Sequence, residues 1–128
     1  MAEAHADLTR FEGLGGFMAY EIVCDLRYTA MLEQATDKLL WSNPGPGAIR
    51  GLHRVLGREI KNKSNAACPP VPKDWEMQTR RLLAIVQARF PEMPPFEMRE
   101  IEMSLCEYDK YVRLLLGEGK AKRGYDAA

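Results

Sequence analysis

Five carboxylates of this 128-residue chain fall where helical spacing could turn them into one cleft. Glu21 and Asp25 stand four residues apart in one segment, and Glu102, Glu107 and Asp109 crowd together in another. Carboxylates on two packed helices can face each other, where burial and mutual repulsion raise a pKa and make a proton acceptor usable near neutrality. Glu21, Asp25 and Asp109 are the candidate general bases, with Glu102 and Glu107 lining the same hollow. Plainer fates are open to the same residues. Glu21 and Asp25 can close structural ion pairs with Arg27, Arg50 or Arg54, and Asp109 can pair with Arg113 four residues on. Little else suggests a nucleophile or a metal. There is no Gly-x-Ser-x-Gly motif, His5 and His53 stand beside no nucleophile, and Cys24, Cys68 and Cys106 make no Cys-x-x-Cys pair. No Gly-x-x-x-x-Gly-Lys-Ser/Thr loop occurs, and Gly13-x-Gly15-Gly16 follows no strand, so no cofactor is expected.

A second kind of chemistry is concentrated in Asn43-Pro44-Gly45-Pro46-Gly47-Ala48-Ile49-Arg50-Gly51. The prolines fix φ and the glycines permit angles other residues avoid, so the turn is tight and stiff. A turn of this kind opening a helix leaves backbone N–H groups at a positive helix end, where an anion can sit. In glycosylase-type helix-hairpin-helix proteins a Pro-Gly-x-Gly hairpin grips a DNA phosphate. Arg50, Arg54, Arg58, Lys61 and Lys63 follow at once. The alternative is a helix–helix corner that binds nothing.

These groups must be positioned by helices. One is expected over residues 17–31, with Met18, Ala19, Ile22, Val23, Leu26 and Ala30 on the core face and Phe17, Glu21, Cys24, Asp25 and Tyr28 on the other. Short capped turns are expected around residues 37–41. Ala48, Ile49, Leu52, Val55 and Leu56 mark a helix that ends near Gly57 or runs on to Lys63. Pro69, Pro70 and Pro72 make residues 64–73 a connector. A further helix spans about residues 74–90, with Trp75, Leu82, Leu83, Val86 and Phe90 on one stripe. The last, about residues 96–116, buries Met98, Ile101, Leu105, Tyr108, Val112 and Leu115 and is stopped by Gly117. No alternating β-branched run survives. The expected fold is all-α: a flexible start (residues 1–10), one compact helical domain (11–118) and a basic tail (119–128).

The length suits one domain, and 46% hydrophobic with 28% charged residues is an ordinary globular balance. No run is apolar enough to cross a membrane and residues 1–12 lack a signal-peptide core, so the cytoplasm is the expected location. Net charge is zero but unevenly spread. Residues 43–63 hold five basic and one acidic side chain, and residues 110–124 again five and one, whereas residues 1–42 and 64–109 are acidic. Two basic blocks backed by an acidic body suggest a phosphate-facing surface. Asn43, Gly45, Gly47, Arg50, Arg54, Arg58, Lys110, Lys120, Lys122 and Arg123 form the candidate DNA-contacting set. Base excision is disfavoured, because a helix-hairpin-helix glycosylase places an aspartate about twenty residues beyond the hairpin and no acid lies between Ile60 and Lys73.

Three segments taken together resemble one family: residues 16–29 (Gly-Phe-Met-Ala-Tyr-Glu-Ile-Val-Cys-Asp-Leu-Arg-Tyr-Thr), residues 41–52 (Trp-Ser-Asn-Pro-Gly-Pro-Gly-Ala-Ile-Arg-Gly-Leu), and residues 101–111 (Ile-Glu-Met-Ser-Leu-Cys-Glu-Tyr-Asp-Lys-Tyr) with Gly117-Glu118-Gly119-Lys120. They resemble the helical, DNA-glycosylase-like domain of the viral thymine-hypermodification enzymes: the alpha-glutamyl/putrescinyl thymine pyrophosphorylases (amino acid:DNA transferases) and 5-hydroxymethyluracil DNA kinases. The resemblance implies action on 5-hydroxymethyluracil in DNA, activated as its pyrophosphate ester, with an amine such as putrescine or an amino acid replacing pyrophosphate. DNA, that amine and a partner kinase are the implied partners. Family members carry further sequence ahead of the segment matching Phe11, so a compact enzyme and a DNA-binding half without an active site are both expected forms. In the enzyme form, Phe17, Tyr20 or Tyr28 would stack on a flipped base. Arg27 or Arg50 would neutralise the leaving group, and Glu21, Asp25 or Asp109 would take the amine's proton.

Overall fold

The computed structural model describes residues 1–60 and 69–118, and within them the chain is all-helical. Five helices follow in order: α1 (Ala2–Leu8), α2 (Gly16–Leu26), α3 (Pro46–Val55), α4 (Trp75–Arg89) and α5 (Met98–Leu115). None is long and apolar enough to cross a membrane.

α3 lies most closely against α5, and α4 covers the same helix from another side. Ala48 and Leu52 of α3, Trp75 and Leu83 of α4, and Met98, Ile101 and Leu105 of α5 make one buried cluster. A second cluster joins α1 to α2: Met1, Tyr20, Val23 and Cys24, flanked by Leu8, Leu32 and Trp41. Residues Ala2–Leu8, expected as part of a flexible start, form α1. Met1 is buried, and its ammonium group donates to Asp37 Oδ1 at 2.7 Å.

α2 stops five residues short of the expected end. The Thr29 hydroxyl donates to the Leu26 carbonyl at 2.7 Å, satisfying a group that another helical turn would otherwise bond. Residues 27–45 then run as turns and extended chain, held by bonds from every side. The Met98 amide donates to the Lys38 carbonyl (3.0 Å), Arg80 to the Leu40 carbonyl, and the Trp75 indole to Ser42 Oγ (3.1 Å). The stiff corner thus joins a pinned loop to α3 rather than one helix to another. α3 begins with Pro46 at its first turn and closes before Gly57, while Gly117 follows α5; both glycines have positive φ (64° and 65°).

Some of the expected core is outside. Met18, Phe90, Tyr108 and Leu115 are all exposed. For Tyr108 the reason is the face it occupies: the next residue, Asp109, is the one buried against α3. Besides Ile101 and Leu105, α5 turns its polar flank, Glu102 and Asp109, into α3.

Candidate nucleic-acid interface

Four of the groups expected at the DNA surface lie in the α3–α5 contact. Gly47 and Gly51, four residues apart, share one face of α3. A Cβ on Gly51 would sit 2.0 Å from the Leu105 carbonyl oxygen, and one on Gly47 would sit 2.6 Å from Cys106 Sγ. At both positions the missing Cβ is what lets α3 and α5 come this close. Asp109 is fully buried between two arginines of α3, accepting from Arg50 Nε and from Arg54 Nε, each at 2.8 Å. Arg54 also binds Glu118 at 2.5 Å. A carboxylate so enclosed has no opening to a substrate, and Arg50, itself buried, faces inward.

The positive end of α3 is likewise taken. The Gly45 amide donates to Glu102 Oε1 at 3.2 Å, so a side chain of α5 occupies the position an external anion would use. Glu102 also accepts from Arg99 at 2.6 Å, and Arg99 reaches Glu21 on α2 at 3.2 Å. Two of the expected acids, Glu21 and Glu102, do meet, across Arg99. Burial raises the Glu102 carboxyl above its ordinary range against the pull of Gly45 and Arg99. Asp25 is exposed one turn beyond Glu21, and Asp109 is seven residues along α5 from Glu102. The three candidate bases therefore do not converge. Glu107 and Lys110 pair with each other at the surface.

The expected base-stacking residues separate in the same way. Tyr20 is buried edge-on against Trp41 (5.6 Å) and beneath the Arg99 guanidinium (5.4 Å). Among the described residues its hydroxyl has no well-formed hydrogen bond, and burial holds it far above the ordinary phenol range. Burial also pushes the neighbouring Cys24 thiol up to about 11. Phe17 and Tyr28 are exposed near opposite ends of α2. Arg27 is buried, bound to Glu97 (2.9 Å), to Glu100 and to the Tyr28 hydroxyl, and so is closed to a leaving group. Of the expected basic set Arg58 and Lys110 stay at the surface, where Asp74 neutralises Arg58 at 2.5 Å and Glu107 neutralises Lys110. Lys61 and Lys63, and Lys120, Lys122 and Arg123 of the tail, lie outside the described residues.

A cleft of about 310 Å³ lies beside the corner. Trp41, Asn43 and Pro44 form one side, and Pro72, Lys73, Trp75 and Glu76 the other. Asn43 is held over it by donating to the Gly16 carbonyl at 3.4 Å. Neither tryptophan figures among the expected pocket residues. Trp41 at the head of the second matched segment, with a Pro-Gly turn next to it, is the signal that could have shown it. Among the described residues no group of three or more His, Cys, Asp or Glu side chains is placed to hold a metal ion.

Comparison with known proteins adds one positive finding. No curated protein and no solved structure matches the chain. A family model described as "5-hmdU DNA kinase, helical domain" matches residues 1–121, nearly the whole sequence. With the all-helical architecture and the three segments in order, that match makes the chain a member of the 5-hmdU DNA kinase helical-domain family, a family of DNA hypermodification.

Proposed function

We propose that the chain holds DNA containing 5-hydroxymethyluracil and positions it for a partner kinase, without itself replacing groups on the base. Two observations support it: the family match ties the chain to 5-hydroxymethyluracil DNA, and the enclosure of Asp109 between Arg50 and Arg54 removes a candidate base. These 128 residues offer no Gly-rich lysine loop to cradle nucleotide phosphates, so in this reading phosphoryl transfer is the work of a kinase unit outside them. The test uses the full chain with labelled duplexes containing 5-hydroxymethyluracil or thymine, and follows binding against salt. The same chain is then mixed with pyrophosphorylated 5-hydroxymethyluracil DNA and putrescine, and the DNA is weighed by mass spectrometry. Binding that weakens steeply with salt, and no adduct, is the expected result. An adduct overturns it.

A second reading, amine-for-pyrophosphate transfer, is favoured by the Glu21–Arg99–Glu102 cluster, where burial lifts a carboxyl towards the range of a working base. There the amine nitrogen attacks the base's methylene carbon, the C–O bond to pyrophosphate breaks, and Glu102 accepts the nitrogen's proton. Under that reading Glu102→Gln abolishes the adduct while DNA binding persists.

A further inference from the structure

The described basic side chains include many that are neutralised internally and a few that are not. Arg27, Arg50, Arg54, Arg58 and Arg99 each have carboxylate partners. Lys73, Arg81 and Arg89 have no ion pair or side-chain hydrogen bond among the described residues. These three are not in a basic block of the sequence. They lie on or just ahead of α4, in a segment with eight acidic and five basic residues (64–109).

Their placement is regular. Positions 73, 77, 81, 85 and 89 follow at intervals of four, which keeps Met77, Arg81, Ile85 and Arg89 on one side of the helix. All five positions are exposed. Ala84 and Ala88, also exposed, leave the helix surface low beside the arginines. Of the acids beside the stripe, Glu76 is engaged by Arg80 at 3.0 Å and Asp74 by Arg58, and Glu92, past the end of the helix, makes no ion pair among the described residues. Arg81 and Arg89 are eight residues apart, about 12 Å along the axis. Each DNA strand presents a phosphate about every 3.4 Å of duplex axis, so the two arginines can take phosphates three or four steps apart while Ile85 rests on the sugars between them. Lys73, at the head of the stripe, also lines the tryptophan cleft.

We infer that the outer face of α4, through Lys73, Arg81 and Arg89, is the surface that grips the DNA phosphodiester backbone. This rests on the DNA-holding reading above and moves its contact surface away from the glycine–proline corner. Unneutralised cations in a row along one exposed face, with apolar contacts between them, fit a polyanion of regular spacing better than an isolated acidic group.

The test compares full-length wild type with the double variant Arg81→Gln/Arg89→Gln, using fluorescence anisotropy on single- and double-stranded DNA across a salt series. Both arginines are exposed, so thermal melting should be unchanged and will show that the variant is folded. The expected result is DNA affinity at least about tenfold weaker at ~0.1 M salt, with the slope of log affinity against log salt reduced by about 1.8 on duplex, or about 0.9 per lost phosphate. If wild type and variant bind DNA alike, the inference is overturned while the DNA-holding reading stands. If wild type shows no salt-dependent DNA binding, both fall. If poly-glutamate competes as well as DNA of equal charge, the face is one for acidic proteins and the inference is overturned.

Discussion

The α3–α5 contact and the outer face of α4 hold the same kinds of side chain in opposite states. In the contact, Arg50 and Arg54 close on one buried carboxylate and two glycines let the backbones touch. On α4, Arg81 and Arg89 are exposed and make no ion pair among the described residues. By sequence the first region is the basic one, with five basic and one acidic residue over 43–63, and the second is acidic. The charge of a segment is therefore a poor guide to the charge of a surface. A cation next to a helix contact is claimed by the nearest buried carboxylate, because leaving either group unpaired in low dielectric costs several kcal/mol.

The largest effect expected from breaking this contrast is at Asp109. Asp109→Ala leaves two arginines facing a buried void and should destabilise the fold by about 3–5 kcal/mol in a denaturant titration. Gly51→Ala, whose Cβ would overlap the Leu105 carbonyl, should cost about 3 kcal/mol or more, because backbone cannot swing aside. Gly47→Ala should cost less, about 1–2 kcal/mol, since Cys106 can change rotamer. By contrast, Arg81→Gln and Arg89→Gln should each alter stability by no more than about 0.5 kcal/mol. A loss comparable to Asp109→Ala would erase the distinction between the two regions.

Two pH measurements sharpen it further. The Glu102 carboxyl is raised by burial, so the folded state holds its proton more tightly than the unfolded chain. Its contribution is full below the ordinary carboxyl value and is lost as pH rises through the folded value. Glu102→Gln should flatten that limb of a stability–pH profile. Asp74 shows the opposite sign and the smallest effect: its hydrogen bond from Arg58 lowers it to about 2 at the surface. Arg58→Ala should return Asp74 towards the ordinary aspartate value in an NMR titration, with melting hardly moved.

Much of the helical plan was legible in residue order. The stop at Gly117, the proline-bounded connector and the spacing of Met98, Ile101 and Leu105 each follow from local chemistry. Gly47 and Gly51 were legible too, but ambiguously. Glycines four apart on a helix permit a phosphate or another helix to come close, and nothing local says which. The end of α2 was missed because Thr29, which competes for a helix carbonyl, looks like any other residue of an amphipathic run.

By itself the sequence determined the all-helical class, the family, and which residues could carry charge or stack. Only the tertiary structure decided which of them remain available. Pairing energies depend on distance and burial, and residues 59 apart, such as Arg50 and Asp109, become neighbours only when α3 docks on α5.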